Sequence, residues 1–526
     1  MSLSLEKLKT TLETKYTVDC VLFLEDLERQ SSSTLYKILK KYQQPKYSDD
    51  YRFVFLNFST LQSTTLDHVI DIVDYLDISH YFVLLISDQS DTIEYFQKLA
   101  QPIQIQQVPF VVPSQSLECA TEPMFNPSNH MCAHAWAGLH VRPDSKVAVC
   151  CDFNDVIKDD NDHAFDVREH TIDQILSSTY MKNLRHSFRQ GTTPVQCDAC
   201  IRIESTGGES RRSLAKHKMQ NIYGLIDWES EDYQNNLGYI GGHFGNLCNS
   251  KCRICSPFFS SVIAAEELSL VPKQQVNTHP VYLLSKNNTW AKDNKHFWAD
   301  LKNHVPKIST FEFLGGEPLL LKENLEFMQH LVDTGHSKSS FFEFTTNGTQ
   351  YPDIFDKVDQ FGRFTITVSI DNIGKRFEVE RSGAEWHKVE TNLEKFISLK
   401  QKNQFVKIGV SITVNIQNVF YIPELIQWLK TKNIDHYFYN VLQQPDYLNI
   451  NQLTQAAKNM ILNKFSHSAF NDFDLQKLNY VIQHIENSVT SDGKEFCEYV
   501  RSKDKIRGEN FANSHPEIAQ AMGYVL

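Results

Sequence analysis

No apolar run of roughly 18 residues occurs in this chain of 526 residues, so no membrane-spanning helix is expected. The opening stretch, MSLSLEKLKTTLETKY, also lacks the apolar core of a secretory signal. Positive charge is in deficit: 52 Lys and Arg against 64 Asp and Glu leave a formal net charge of -12. That balance argues against a nonspecific grip on nucleic acid, and the short basic run SRRSLAKHK reads as a solvated helix face. The first strand-like segment runs into LEDLERQSS, which has no glycine, so a dinucleotide-binding fingerprint is absent. The 20 histidines contain no HExxH motif, and none is assigned a metal.

Cysteine is what the chain has in an informative pattern. Its 11 cysteines include CxxxCxxC, CC and CxxC groupings, which read as metal ligands in a reducing cytosol, where persistent disulfides are rare. Cys248, Cys252 and Cys255 lie in CNSKCRIC, directly after the strand-like YIGGHFGNL. Three thiolates hold three irons of a cubane cluster and leave the fourth iron without a protein ligand. A structural zinc site requires four closed ligands, and three cysteines alone fit an open iron site better.

Further strand-like segments follow, each ending in a distinctive turn. TFEFLGGEPLLL (310–321) carries Gly315, Gly316 and Glu317; FFEFTTNGT (341–349) ends in Asn347-Gly348; FTITVSIDNIG (364–374) presents Ser369 and Asp371; FVKIGVSITVN (405–415) ends in Asn415. Such residues at the carboxyl ends of successive strands are where an α/β barrel assembles its site. Together with CxxxCxxC, these motifs resemble the radical S-adenosylmethionine (radical SAM) superfamily. The resemblance implies a partial (β/α)6 TIM-like barrel over 219–445 and a core 4Fe-4S cluster whose open iron chelates S-adenosylmethionine. It also implies that Gly315, Gly316 and Glu317 form the GGE motif, beside the methionyl amine. Asn347, Ser369, Asp371 and Asn415 are implied as polar contacts to the cofactor, and Arg381, in VERSGAEW, as the partner of its carboxylate. Ile254 stands where the family often has an aromatic residue before the third cysteine.

Upstream, MCAHAWAGLHVRPDSKVAVCC reads as a β-hairpin carrying Cys132 and the Cys150-Cys151 pair, and CDAC supplies Cys197 and Cys200. The TIDQILSSTYMKNLRHSF segment between them reads as one helix capped by Thr171. Four soft ligands without an open position suit either a closed zinc site or a fully ligated 4Fe-4S cluster. The segment (121–218 with its linker) resembles the SPASM/twitch module of radical SAM enzymes, here placed before the barrel, with Ser145 at the usual glycine. That resemblance implies an auxiliary 4Fe-4S cluster on Cys132, Cys150, Cys197 and Cys200, with zinc as the alternative and Cys151 as a spare.

Residues 1–120 alternate apolar runs with helical segments and predict a small doubly wound α/β domain. Docking of a substrate or partner is its expected role, ahead of a degenerate transferase-like module; Cys20 and Cys119 read as plain thiols. Residues 446–526 read as helical and carry no motif. The implied activity is reductive cleavage of S-adenosylmethionine to a 5'-deoxyadenosyl radical, fed by a reductant such as flavodoxin or ferredoxin. A peptide or protein side chain is the expected substrate, ahead of a small molecule such as a sugar, nucleotide or amino acid. A non-catalytic iron-sulfur scaffold is the reading from another class.

Overall fold

The computed structural model describes residues 131–205, 210–292 and 294–524, together with three strands nearer the N-terminus. Contacts divide the chain into two compact units, Met1–Met124 and Phe125–Leu526. In the first, β1 (Cys20–Asp26), β2 (Arg52–Phe58) and β3 (Tyr81–Ile86) form a parallel sheet in the order β2-β1-β3. A central first strand flanked by both successors is the pattern expected of a small doubly wound domain. The helices expected between these strands, the extended IQIQQVPFVV, and Cys119 lie outside the described residues.

The second unit is built on an eight-stranded sheet. Its first two strands are β4 (Gly138–Val141) and β5 (Val147–Ala148); β6 (Tyr239–His243) follows. A two-residue strand, β7 (Lys251–Cys252), stands apart from this sheet, which continues with β8 (Thr310–Leu314), β9 (Phe341–Thr346) and β10 (Arg363–Ser369). Another two-residue strand, β11 (Arg381–Ser382), pairs with β7, and β12 (Val406–Val414) and β13 (His436–Val441) complete the main sheet. From β6 to β13 the six long strands are parallel and lie side by side in chain order, the arrangement of a partial (β/α)6 barrel.

Alternation decides the two faces of this sheet. Phe311, Phe313, Phe342, Phe344 and Phe364 share one face and stack across strands, with Phe313 and Phe344 5.1 Å apart and Phe344 and Phe364 5.6 Å apart. Phe327, on the helix Lys322–Asp333, seals this layer from 5.5 Å. The opposite face carries Glu312, Glu343 and the hydroxyls of Thr345, Thr367 and Ser369.

The upstream module is part of the same sheet. Strand β4 pairs in parallel with β6, and β5 turns back antiparallel on β4. The hairpin is shorter than its sequence predicts, because Ala133–Ala137 is helical. Long-range partners hold that turn: Arg185 donates to Ala135 O at 2.9 Å, and Trp136 donates to Ser230 O at 2.9 Å. The single helix expected after Thr171 is two, Ile172–Leu176 and Thr179–Arg189. Ser178 caps the second through Met181 N, so the Ser-Ser pair ends one helix and starts the next. The linker's helix Arg211–Lys218 lies on the polar face of the sheet, where Arg211 pairs with Glu312 at 2.8 Å and Lys218 with Glu343 at 2.5 Å. No described helix is long and apolar enough to cross a membrane.

Candidate functional site

The loop leaving the carboxyl end of β6 carries Cys248, Cys252 and Cys255. All three are free and half-buried. Hydrogen bonds shape the loop around them: Ser261 Oγ accepts from Cys248 N at 3.2 Å, and Cys252 O accepts from Cys255 N at 3.1 Å. Cys252 sits on β7, directly opposite Arg381 on β11. Burial, helped by the other thiols of the loop, pushes the Cys252 thiol up to about 11 against the opposing charge of Arg381, and the Cys255 thiol up to about 12. Burial also raises Cys248. Without a cation the three are therefore neutral thiols, and a bound metal centre would have to displace their protons.

Loops from the neighbouring strands close around this one. Gly315 and Gly316 have left-handed φ of 78° and 50°. A Cβ on Gly316 would lie 2.2 Å from Leu247 O, and one on Gly315 would lie 2.2 Å from the His243 ring. The glycines are thus required by the approach of β8's loop to the His243 ring at the end of β6 and to Leu247 at the start of the cysteine loop. Glu317 follows, fully buried. Its backbone N donates to Leu247 O at 2.7 Å, and its carboxylate accepts from Thr346 Oγ1 at 2.7 Å, Asn347 N at 2.6 Å and Leu319 N at 3.2 Å. Burial raises this carboxyl from 4.5 to about 7 despite those donors.

Asn347 extends the network into the cysteine loop. Its Nδ2 donates to Asn249 Oδ1 at 2.9 Å and to Ser250 Oγ at 3.3 Å. Arg381 reaches it from the other side: Nη1 is 3.6 Å from Cys252 Sγ, while Nε and Nη2 lie 3.0 and 2.5 Å from Asp371 Oδ2. Burial alone would lower the Arg381 pKa, but the charge of Asp371 and the neighbouring Cys252 hold it above its ordinary range. Asp371 Oδ1 also accepts from Thr413 N at 2.7 Å. The guanidinium is therefore paired within the protein, and Asp371 serves it and β12. Asn415 is fully buried and bends the end of β12: Nδ2 donates to Thr413 O, and Oδ1 accepts from Gln417 N, both at 2.9 Å. Ser369 ends β10 half-buried, level with Ser411. Ile254 packs against the apolar core.

Cys132, Cys150, Cys197 and Cys200 line a single small pocket, partly open to solvent, with Asp152 and Arg212 on its wall. Three elements deliver them: Cys132 precedes the helix Ala133–Ala137, Cys150 follows β5, and Cys197 and Cys200 open the helix Asp198–Ser205. Burial pushes Cys132 and Cys197 up to about 12, with the charge of neighbouring cysteines adding to it, and raises Cys150 as well. Cys151 is not among the lining residues; its thiol donates to Asp152 Oδ1 at 3.4 Å. Ser145 holds the hairpin turn at φ 69°, the left-handed region where glycine is the unstrained choice.

Among the described residues, no three His, Cys, Asp or Glu side chains converge to hold a metal ion. A cubane places its irons at separate corners, so its thiolates need to face one space and need not meet at a point. The donor chemistry fits that group in both places: three thiols in one loop, and four around one cavity. Sequence reasoning missed the polar residues between the cysteines, Asn249, Ser250 and Arg253, which anchor the loop. Their signal was present, since a cysteine loop without glycine or proline has to be held by its own side chains.

No family model matches the chain, and no curated protein matches it. Among solved structures, native anSMEcpe with bound AdoMet is similar at 18% identity and a TM-score of 0.31, over 50% of this chain and 66% of that one. Streptococcus suis SuiB bound to S-adenosylmethionine is similar at 15% identity and a TM-score of 0.28, over 68% of this chain and 75% of that one. SuiB bound to the precursor peptide SuiA gives 12% identity and a TM-score of 0.27, with the same coverage. The chain spans just under two thirds of the first of these, 66%. Likenesses this distant decide neither chemistry nor substrate.

Proposed function

We propose that the protein is a radical SAM enzyme with an auxiliary iron-sulfur cluster. The observation that carries the reading is the loop of Cys248, Cys252 and Cys255 at the carboxyl end of the first of six parallel strands, gripped by the turns that end the next two and by β11. The three thiolates would hold a 4Fe-4S cluster, which would supply the one electron for reductive cleavage of S-adenosylmethionine to methionine and a 5'-deoxyadenosyl radical. This chain's own residues set the surroundings. Arg381, 3.6 Å from Cys252 Sγ and held by Asp371, offsets thiolate charge. Glu317 and Asn347 fix the backbone that faces the open side of the loop. The Gly315, Gly316 and Ser369 positions are left to contact the cofactor directly; Asn415 and Asp371 act on it through the turn and the guanidinium that they hold.

The four-cysteine cavity would take a second 4Fe-4S cluster, with zinc as the alternative that metal analysis separates. A peptide or protein side chain is the substrate class we favour, ahead of a small molecule, and the reductant would be a flavodoxin or ferredoxin. The test is anaerobic reconstitution followed by assay for 5'-deoxyadenosine. Wild type is expected to form it, and replacement of Cys248, Cys252 and Cys255 together by Ala should abolish it while the other cluster's absorbance remains. Cofactor cleavage by the triple variant, or none by wild type, would overturn the reading.

A further inference from the structure

The turn between the second and third cysteines of the core loop carries a residue that neither thiol chemistry nor cofactor contact explains. Arg253 is fully buried, and its side chain reaches the C-terminal helices: Nη2 lies 2.5 Å from Asp504 Oδ1 and 2.6 Å from Glu509 Oε2, and Nε donates to Val379 O at 3.1 Å. The backbone at the same residue is gripped twice. Arg253 N donates to Glu380 O at 2.8 Å, and the Tyr499 hydroxyl donates to Arg253 O at 2.5 Å.

Glu509 does more than neutralise Arg253. Its second oxygen accepts from the Ser382 hydroxyl, which also accepts from Arg507 Nη1 at 3.2 Å. Ser382 belongs to β11, the partner of β7, so one corner of the tail touches both sides of the ribbon that carries Cys252 and Arg381. A ribbon of two residues per strand does not persist in isolation. Burying a guanidinium is likewise costly unless its charge is paired, and here both carboxylates come from the tail, about 250 residues further along the chain. The position of Cys252 and Cys255 therefore depends on contacts far from the cysteine motif.

We propose that the Tyr499–Glu509 corner of the C-terminal helical segment is a positioning element for the core cysteine loop, acting through Arg253 to set where Cys252 and Cys255 stand. Its relevance to catalysis rests on the reading of that loop as a cluster site, but the positioning itself is measurable without any metal. The experiment is site-resolved alkylation of the full-length, metal-free, reduced chain with iodoacetamide, read by mass spectrometry. Glu509→Gln leaves Arg253 half-paired, and Arg253→Lys keeps the charge but loses the fork that spans both carboxylates and Val379 O. Both variants should alkylate Cys252 and Cys255 about tenfold faster than wild type, through local opening of the turn, with Cys132, Cys150 and Cys497 unchanged. Tyr499→Phe, which removes one hydroxyl from an otherwise intact side chain, should show the same selectivity at a smaller, severalfold amplitude. Unchanged rates at Cys252 and Cys255 in all three variants would overturn the proposal, as would equal acceleration at every cysteine. Failure of wild type to form 5'-deoxyadenosine would remove the cofactor reading and leave the alkylation ratio to decide the positioning.

Discussion

At the scale of single residues, Glu317 and Gly316 carry the most specific consequences. The Glu317 carboxyl sits at about 7 in the fold because of its burial, above the 4.5 of a free carboxyl, so the folded chain binds the additional proton between those values. Its contribution to stability is fully present below 4.5 and is lost as the pH rises through about 7, a loss of up to about 3 kcal/mol. Denaturant midpoints of the metal-free chain should therefore fall between pH 5 and 8, and Glu317→Gln should flatten that slope; an unchanged slope in the variant would assign it to another group. Gly316→Ala meets Leu247 O at 2.2 Å as well as a left-handed φ. Gly335 is a built-in control, with φ 76° and nothing within 4 Å of its would-be Cβ. Alanine at Gly335 should cost about 1 to 2 kcal/mol, the backbone penalty alone. Gly316→Ala should cost clearly more in thermal melts and should also suppress cofactor cleavage, because the cysteine loop must move.

At the scale of elements, the hairpin β4–β5 decides which of two adjacent cysteines serves the upstream cavity. The pair lies in the turn just past β5, where Phe153 N donates to Cys150 O at 3.3 Å, rather than on the extended strand expected from sequence; the turn lines the cavity with Cys150 while Cys151 bonds Asp152. Cys150→Ser should therefore lose the second site's metal and Cys151→Ser should keep it. Two cubanes imply about eight irons per chain in wild type and about four in Cys150→Ser; a zinc site instead implies about four irons plus one zinc. Metal analysis of the anaerobically purified variants reads the difference. The reverse pattern would move the ligand by one residue.

At the scale of the molecule, the division at Met124 and the continuity of the sheet predict different responses to truncation. A chain starting at Phe125 keeps every strand of the eight-stranded sheet and should unfold in a single cooperative transition with the iron content of the full chain. A chain starting at Leu237 loses β4, the parallel neighbour of β6, along with Arg211 and Lys218, the cations that pair with the buried Glu312 and the half-buried Glu343. It should be recovered largely in aggregates, because an unpaired strand edge and two carboxylates without their cations, one of them buried, are left behind. Solubility and size-exclusion profiles of the two fragments check this.

The sequence by itself determined the elements and the donor types. Apolar runs placed β6, β8, β9, β10 and β12 close to their observed limits, because an apolar layer such as Phe311, Phe313, Phe342 and Phe344 is written locally, two residues at a time. Cysteine spacing likewise marked the core loop, whose three thiols stand within a few residues of one another, whereas the upstream four, spread from Cys132 to Cys200, are brought to one pocket only by the fold. Only the tertiary structure decided what the remaining polar residues do. Asp371 pairs with Arg381, Gly316 makes room for Leu247 O, Asn415 bends its own turn, and Arg253 is neutralised by Asp504 and Glu509. The role of a buried charge or amide is set by whichever opposite group lies within about 3 Å once the chain has packed, and spacing along the sequence carries no record of that distance.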